Sequence, residues 1–220
     1  EEGVPIESRL IARRIEAAQK AVEAQNFEAR KHLLEYDDVM NKQREAIYGL
    51  RRQLLEGLDQ RDYILSIADG IVGAMLDTYC DKDVHPDEWD LGALDNDLRG
   101  QFGLDLAAEG IQPQTLNREE LREALVGRVR GEYDEKETQV GPQTLRWHER
   151  MIMLQVVDSQ WKDHLLGMDH LKEGIGLRSY GQKDPLVEYK KESFQMFQDM
   201  MDRIESETIK FLWLMQVVSP

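Results

Sequence analysis

Between Ser8 and Glu56 the chain has no proline and a single glycine, Gly49, and Ala, Leu, Glu, Lys, Arg and Gln dominate. Proline breaks a helix interior because it lacks the N–H and clashes with the preceding turn, while glycine there costs backbone entropy. A run this long that avoids both predicts one continuous helix. Ile11, Val22 and Leu33 stand eleven apart, as do Ala18, Ala29 and Met40. That repeat lies slightly above 3.6 residues per turn and not on a heptad, so the helix is expected to be nearly straight. At about 1.5 Å per residue it would reach about 70 Å, more than a compact domain of this size needs. A rod of this kind spans other parts, and any parts lying outside the chain would leave apolar seam residues uncovered.

Residues 58–140 change character, with more Gly, Pro and Asp and shorter apolar runs. "DYILSIADGIVGAMLDTYC" reads as a helix, "HPDEWDLGALDNDLRGQFG" as a shorter one begun near Pro86, and "NREELREALVGRVRGEYDEKE" as a third. Asn117 with Glu120 three residues on has the form of a capping box. From Pro142 long helices return. One carries Trp147, Met151, Leu154, Trp161, Leu165 and Met168 at heptad spacing, interrupted by Asp158. The next opens with Asp184 as N-cap and Pro185 at the first helical position, and continues with Phe194, Phe197, Met201, Ile204, Thr208, Phe211 and Met215. Two such seams joined by a short loop predict an antiparallel helical hairpin. The fold class is all-α: a long helix packed with a helical hairpin, plus a small inserted helical subdomain.

The formal charge is −15, and residues 58–140 hold 8 basic and 20 acidic side chains against 10 and 11 in residues 1–57 and 10 and 12 in residues 141–220. An acidic surface cannot neutralise phosphates, which excludes nucleic acid as an expected partner. The longest apolar stretch, "FLWLMQVV", is far short of a membrane span. No signal-peptide pattern opens the chain, and the absence of an initiator Met suggests a piece of a longer protein. The single cysteine, Cys80, is expected to pack at a helix end in a reducing compartment.

The hairpin loop, "GLRSYGQKDP", superficially resembles a phosphate-binding loop. In such a loop a lysine follows the second glycine and a hydroxyl follows the lysine. Here Gln182 follows Gly181, Lys183 comes one place late and Asp184 stands where the hydroxyl should be. The preceding residues also read as helix and not as strand. No zinc-protease motif forms on His148 and Glu149, because position 152 is Ile152. His164 and His170, six apart, do not share a helix face at ligand spacing, so no metal site is expected.

Glu35, Asp37 and Asp38 make a local carboxylate cluster whose expected role is ion pairing with Arg30, Lys31, Lys42 and Arg44. Asp158, on an otherwise apolar seam, needs a cation, and a basic residue of the long helix is the expected partner. At the tip of the hairpin Tyr180 lies between Arg178 and Lys183, with Gly176 and Gly181 giving the backbone freedom to turn. A polar-ended aromatic held there could grip varied polypeptide by stacking and hydrogen bonding, or it could pack on a neighbouring element.

"NFEARKHLLEYDDVMNKQREAIY" and "LQVVDSQWKDHLLGMDHLKEGIGLRSYGQKDPLVEYKKESFQMF", with the acidic insert between them, resemble in order and spacing the C-terminal part of the SecA family, the ATP-driven motors of bacterial protein export. The resemblance covers essentially the whole chain. It implies a helical scaffold over 1–57, a helical wing over 58–140, and scaffold again over 141–220 containing a two-helix finger with its tip at 174–185. It further implies contact with the nucleotide-binding motor domains and the preprotein-crosslinking domain, entry of the finger tip into the SecYEG channel mouth, and contact of Tyr180 with the moving preprotein. ATP and magnesium would belong to the motor domains, leaving no cofactor on this segment. The location implied is the cytoplasm, peripherally at the inner face of the plasma membrane with its anionic lipid surface. Two other classes were open on the residues alone, a free-standing helical adaptor and a helical hydrolase built on Glu35, Asp37 and Asp38.

Overall fold

The structure, a computed structural model, describes residues 9–176 and 184–216. Among these residues every regular element is helical: α1 (Arg9–Glu56), α2 (Arg61–Tyr79), α3 (Leu91–Phe102), α4 (Arg118–Val140), α5 (Pro142–Gly174) and α6 (Pro185–Leu214), with 3₁₀ turns at Pro86–Glu88 and Pro113–Thr115. α1 is a single helix of 48 residues, as the proline-free stretch predicts. It ends at Gly57, whose φ of +77° is a left-handed conformation that glycine adopts without a Cβ penalty.

The short helices are set by their caps. Asn117 accepts a hydrogen bond from the Glu120 backbone N–H at 3.0 Å, and the Glu120 carboxylate accepts from the Asn117 N–H at 2.9 Å, closing the expected box at the start of α4. The helix expected from Pro86 instead begins later. Pro86 opens a 3₁₀ turn, and Asp90 caps α3 by accepting from the Ala93 N–H at 3.0 Å. Cys80 is buried where α2 ends, and burial pushes its thiol up to about 11, opposed by the nearby Arg118 charge.

The chain divides into two compact units, Glu1–Ala46 with Met168–Phe194 and Ile47–Gly167 with Gln195–Pro220, and α1, α5 and α6 each contribute to both. The second unit holds the main core. α2 packs on α3 and α4, and Ile64, Val72, Leu98, Phe102, Leu125 and Val129 are wholly buried. The same cluster takes in Leu54 of α1, Leu145 and Met153 of α5, and Ile209, Leu212 and Trp213 of α6. The inserted helices and the long helices therefore share one core.

The buried line on α5 keeps Trp161 and Met168 of the expected heptad seam and departs from it toward the N-terminus. It runs Leu145, Glu149, Met153, Val157, Trp161 and His164, while Trp147 and Met151 are about half exposed. On α6 Phe194 and Phe211 are likewise exposed, and Tyr189, Ser193, Met200, Ile204, Thr208 and Leu212 are buried. The N-terminal half of α1 is open to solvent, with Leu10, Ile11, Ile15, Val22, Phe27 and Leu33 all exposed.

Candidate functional site

In the first unit the base of the hairpin is held against α1. Asp184 accepts hydrogen bonds from the backbone N–H groups of Leu186 at 2.8 Å and Val187 at 3.4 Å, and Pro185 occupies the first helical position, where a missing N–H costs nothing. One turn on, Tyr189 is buried and meets Tyr36 of α1 edge to face, ring centroids 4.7 Å apart. Burial raises the Tyr189 hydroxyl above its usual range, reinforced by the Asp37 charge. Gln43 of α1 is buried and its Nε2 donates to the Ser193 carbonyl at 3.1 Å. From α5, Lys172 Nζ lies 3.6 Å from Asp37.

Of the α1 carboxylates expected to be ion-paired, Asp37 pairs with a cation of α5, while Arg44 donates to Asn41 Oδ1 at 3.2 Å. Asp37 and Asp38 are exposed and Glu35 is half-buried. Gly176 closes the described part of the α5 end, next to the buried Ile175. Arg178, Tyr180, Gly181 and Lys183 lie outside the described residues.

In the second unit Asp158 is paired with Arg51 of α1, Nε to Oδ1 at 2.8 Å. Close by in sequence, α5 and α6 approach tightly: a Cβ on Gly167 would lie 2.8 Å from Met196 Cε. His164 is buried, stacked on Trp161 with centroids 5.5 Å apart and edge-on to Phe197 at 5.8 Å. Burial lowers its pKa, and the Arg203 charge lowers it further. Arg203 Nε itself donates to Gln160 Oε1 at 3.1 Å.

A buried polar network joins α4 to α5. Tyr133 Oη donates to Glu149 Oε1 at 2.5 Å, and the Arg146 guanidinium donates to Tyr133, Glu149 and Glu137 and lies 3.3 Å from Asp59. Burial raises the Glu149 carboxyl, although the hydrogen bonds from Arg146 and Tyr133 pull the other way. Burial likewise raises the Tyr133 hydroxyl. Lys136 on α4 donates to the Leu212 carbonyl at 3.0 Å and to that of Trp213, two of the orphan carbonyls at the end of α6. The Trp213 indole donates to the Val129 carbonyl at 3.2 Å. Among the described residues no group of acidic, histidine or cysteine side chains is arranged to hold a metal.

A family model described as the SecA Wing and Scaffold domain matches residues 5–216. This chain belongs to the SecA family. It is 57% identical over 219 residues to the protein translocase subunit SecA of Koribacter versatilis, covering 99% of this chain and 22% of that protein. It is 57% identical over 217 residues to the SecA of Solibacter usitatus, with 99% and 22% covered. With the SecA of Pelotomaculum thermopropionicum it shares 47% over 223 residues, with 100% and 25% covered. The chain thus spans about a quarter or less of the length of these SecA relatives.

Within this SecA-family chain, the residues that sequence reasoning missed are those of the polar network. Glu149 drew attention only as part of a failed zinc motif, and Tyr133 and Arg146 not at all. Their one sequence signal is that Glu149 falls four residues from both Leu145 and Met153, on the buried line of α5.

Proposed function

We propose that this chain is the scaffold and wing part of an ATP-driven protein translocase, with scaffold over 1–57 and 141–220 and wing over 58–140. In this reading ATP binding and hydrolysis occur in motor domains outside the chain. α1 takes up their movement, and the hairpin of α5 and α6 delivers it to Tyr180, with Arg178 and Lys183 beside it, where the exported polypeptide is gripped. Its partners would be the motor and preprotein-crosslinking domains, the SecYEG channel and preproteins, at the cytoplasmic face of an anionic membrane. No described helix is long and apolar enough to cross a membrane, which is compatible with peripheral attachment.

The observation that carries this reading is α1 itself. It is unbroken over 48 residues, its C-terminal part is buried through Ile47 and Leu54, and its N-terminal part leaves large apolar side chains uncovered. A helix with one end anchored and the other presenting bare apolar surface is suited to receiving another domain. The test is Tyr180→Ala in the full-length protein. Preprotein transport should fall while ATP binding persists, and unimpaired transport would remove the finger tip from the mechanism. The segment by itself should show no specific ATP binding in equilibrium dialysis, since the loop lacks the lysine and hydroxyl placement a phosphate cradle needs.

A further inference from the structure

Within the second unit the far end of α6, residues 205–214, is held by all the inserted helices. From α2, Tyr63 Oη donates to the Glu205 carboxylate at 2.9 Å. From α3, Gln101 Nε2 donates to the Ser206 carbonyl at 2.8 Å, and Phe102 meets the Trp213 ring edge to face with centroids 5.6 Å apart. From α4, Lys136 donates to the carbonyls of Leu212 and Trp213, and the Val129 carbonyl accepts from the Trp213 indole at 3.2 Å.

A helix C-terminus favours a cation, and α6 has no basic residue in its own last turn. Lys136 supplies that charge from α4. Its side chain is only 13% exposed, and Glu132 lies 3.4 Å away. Burial lowers the Lys136 pKa, while the Glu132 charge acts against that. With Glu132, Leu212 and Trp213 as acceptors, the three ammonium hydrogens all have partners. Burying an ammonium is costly unless its charge is met. A lysine placed this way on α4, with two of its bonds on α6, marks a contact that the packing of α4 on α2 does not itself require.

We infer that the inserted helices anchor the far end of α6 against load, with Lys136 and Gln101 as the positioning residues of that anchor. The inference rests on the function proposed above, in which the hairpin works on the exported polypeptide. α6 is unbroken from Pro185 to Leu214, so a force met near its start is carried along the helix to its other end. A helix end left to itself frays, because its last four carbonyls lack partners. Fastened at Ser206, Leu212 and Trp213, this end holds, and the load passes into the core built on α2, α3 and α4.

The experiment uses the full-length protein carrying Lys136→Met and Gln101→Met together, with each single variant giving a smaller effect of the same sign should the pair fail to fold. Hydrogen exchange reads the anchor: amides of residues 210–214 should exchange about fivefold faster or more, while those of α2 keep their protection. Preprotein transported per ATP hydrolysed reads the function and should fall about threefold or more. Lys136→Arg keeps the cation and should match the unsubstituted protein in both readings. Arg130→Met removes a cation from the same helix, one that bonds Asp69 of α2, and should leave both readings within about twofold. Unchanged exchange at residues 210–214 would overturn the anchor whatever the tip does. Faster exchange with undiminished transport per ATP would overturn its load-bearing role. Normal transport by Tyr180→Ala beside a loss in the double variant would remove the gripping tip from the function proposed above and leave the anchor standing.

Discussion

Arg51 of α1 holds the Asp158 carboxylate of α5: Nη2 donates to Oδ2 at 3.3 Å, and Nε lies 2.8 Å from Oδ1 as an ion-pair contact without hydrogen-bond alignment. Both side chains are about two-fifths exposed, so solvent screens the pair and its net contribution is modest. A double-mutant cycle with Arg51→Met and Asp158→Leu should give a coupling of about 0.5–1 kcal/mol that shrinks in high salt. Urea unfolding of the four proteins at two salt concentrations measures it.

The Arg146, Glu149 and Tyr133 cluster should behave differently, because Glu149 is almost wholly buried. Removing one partner of a buried pair leaves an uncompensated charge, whereas removing both costs far less. Arg146→Met is expected to destabilise by about 3 kcal/mol, and Arg146→Met with Glu149→Leu should recover most of that loss. Denaturant melts of the single and double variants decide it. A double variant no better than the single one would show that Arg146 acts through Glu137 and Asp59 instead.

How much of this was legible in the sequence varies with the physics that sets each feature. α1 was readable almost to the residue, because the absence of Pro and Gly over a long run is a local signal that no tertiary contact has to supply. The Asn117–Glu120 box and the Asp184–Pro185 helix start were readable for the same reason. The buried line of α5 was not. It advances in steps of four with a single step of three from Leu145 to His164, and it includes Glu149, Gln160 nearby and His164. Those polar groups are buried because partners on other elements satisfy them, Tyr133 for Glu149 and Arg203 for Gln160. An apolar template rejects such residues and picks exposed Trp147 and Met151 in their place. Lys172 as the partner of Asp37 was hidden likewise, since the two stand far apart in sequence.

Thr208 offers a gain of stability. It is buried on α6, and its Oγ1 has no hydrogen-bond partner among the described residues. A buried hydroxyl without a partner carries its desolvation cost uncompensated. Thr208→Val keeps the branched shape and removes the hydroxyl, so it should stabilise the chain by about 1 kcal/mol. Thermal unfolding of the two proteins side by side checks this, and a lower midpoint for the valine variant would mean that the hydroxyl is satisfied in solution.

His164 makes stability depend on pH in a defined direction. Its folded pKa lies below the ordinary value of 6.5, because burial beside Trp161 and Phe197 disfavours the cation and Arg203 repels it. The unfolded chain therefore takes up a proton at a pH where the folded chain does not. Stability contributed by the neutral ring is present above about pH 6.5 and is lost as pH falls from there toward the lower folded pKa. Glu149 and Glu132 act in the opposite sense, since burial raises both carboxyls and favours the folded state as they protonate. The His164 contribution is isolated by comparison with His164→Phe, which keeps the aromatic contacts and cannot titrate. Urea unfolding at pH 7.5 and pH 5.5 should show the wild-type chain losing more stability on acidification than the variant, by up to about 1 kcal/mol. Parallel losses would mean that the histidine ring opens to water before it protonates, and that its packing between α5 and α6 is looser than the 5.5 Å stack on Trp161 indicates.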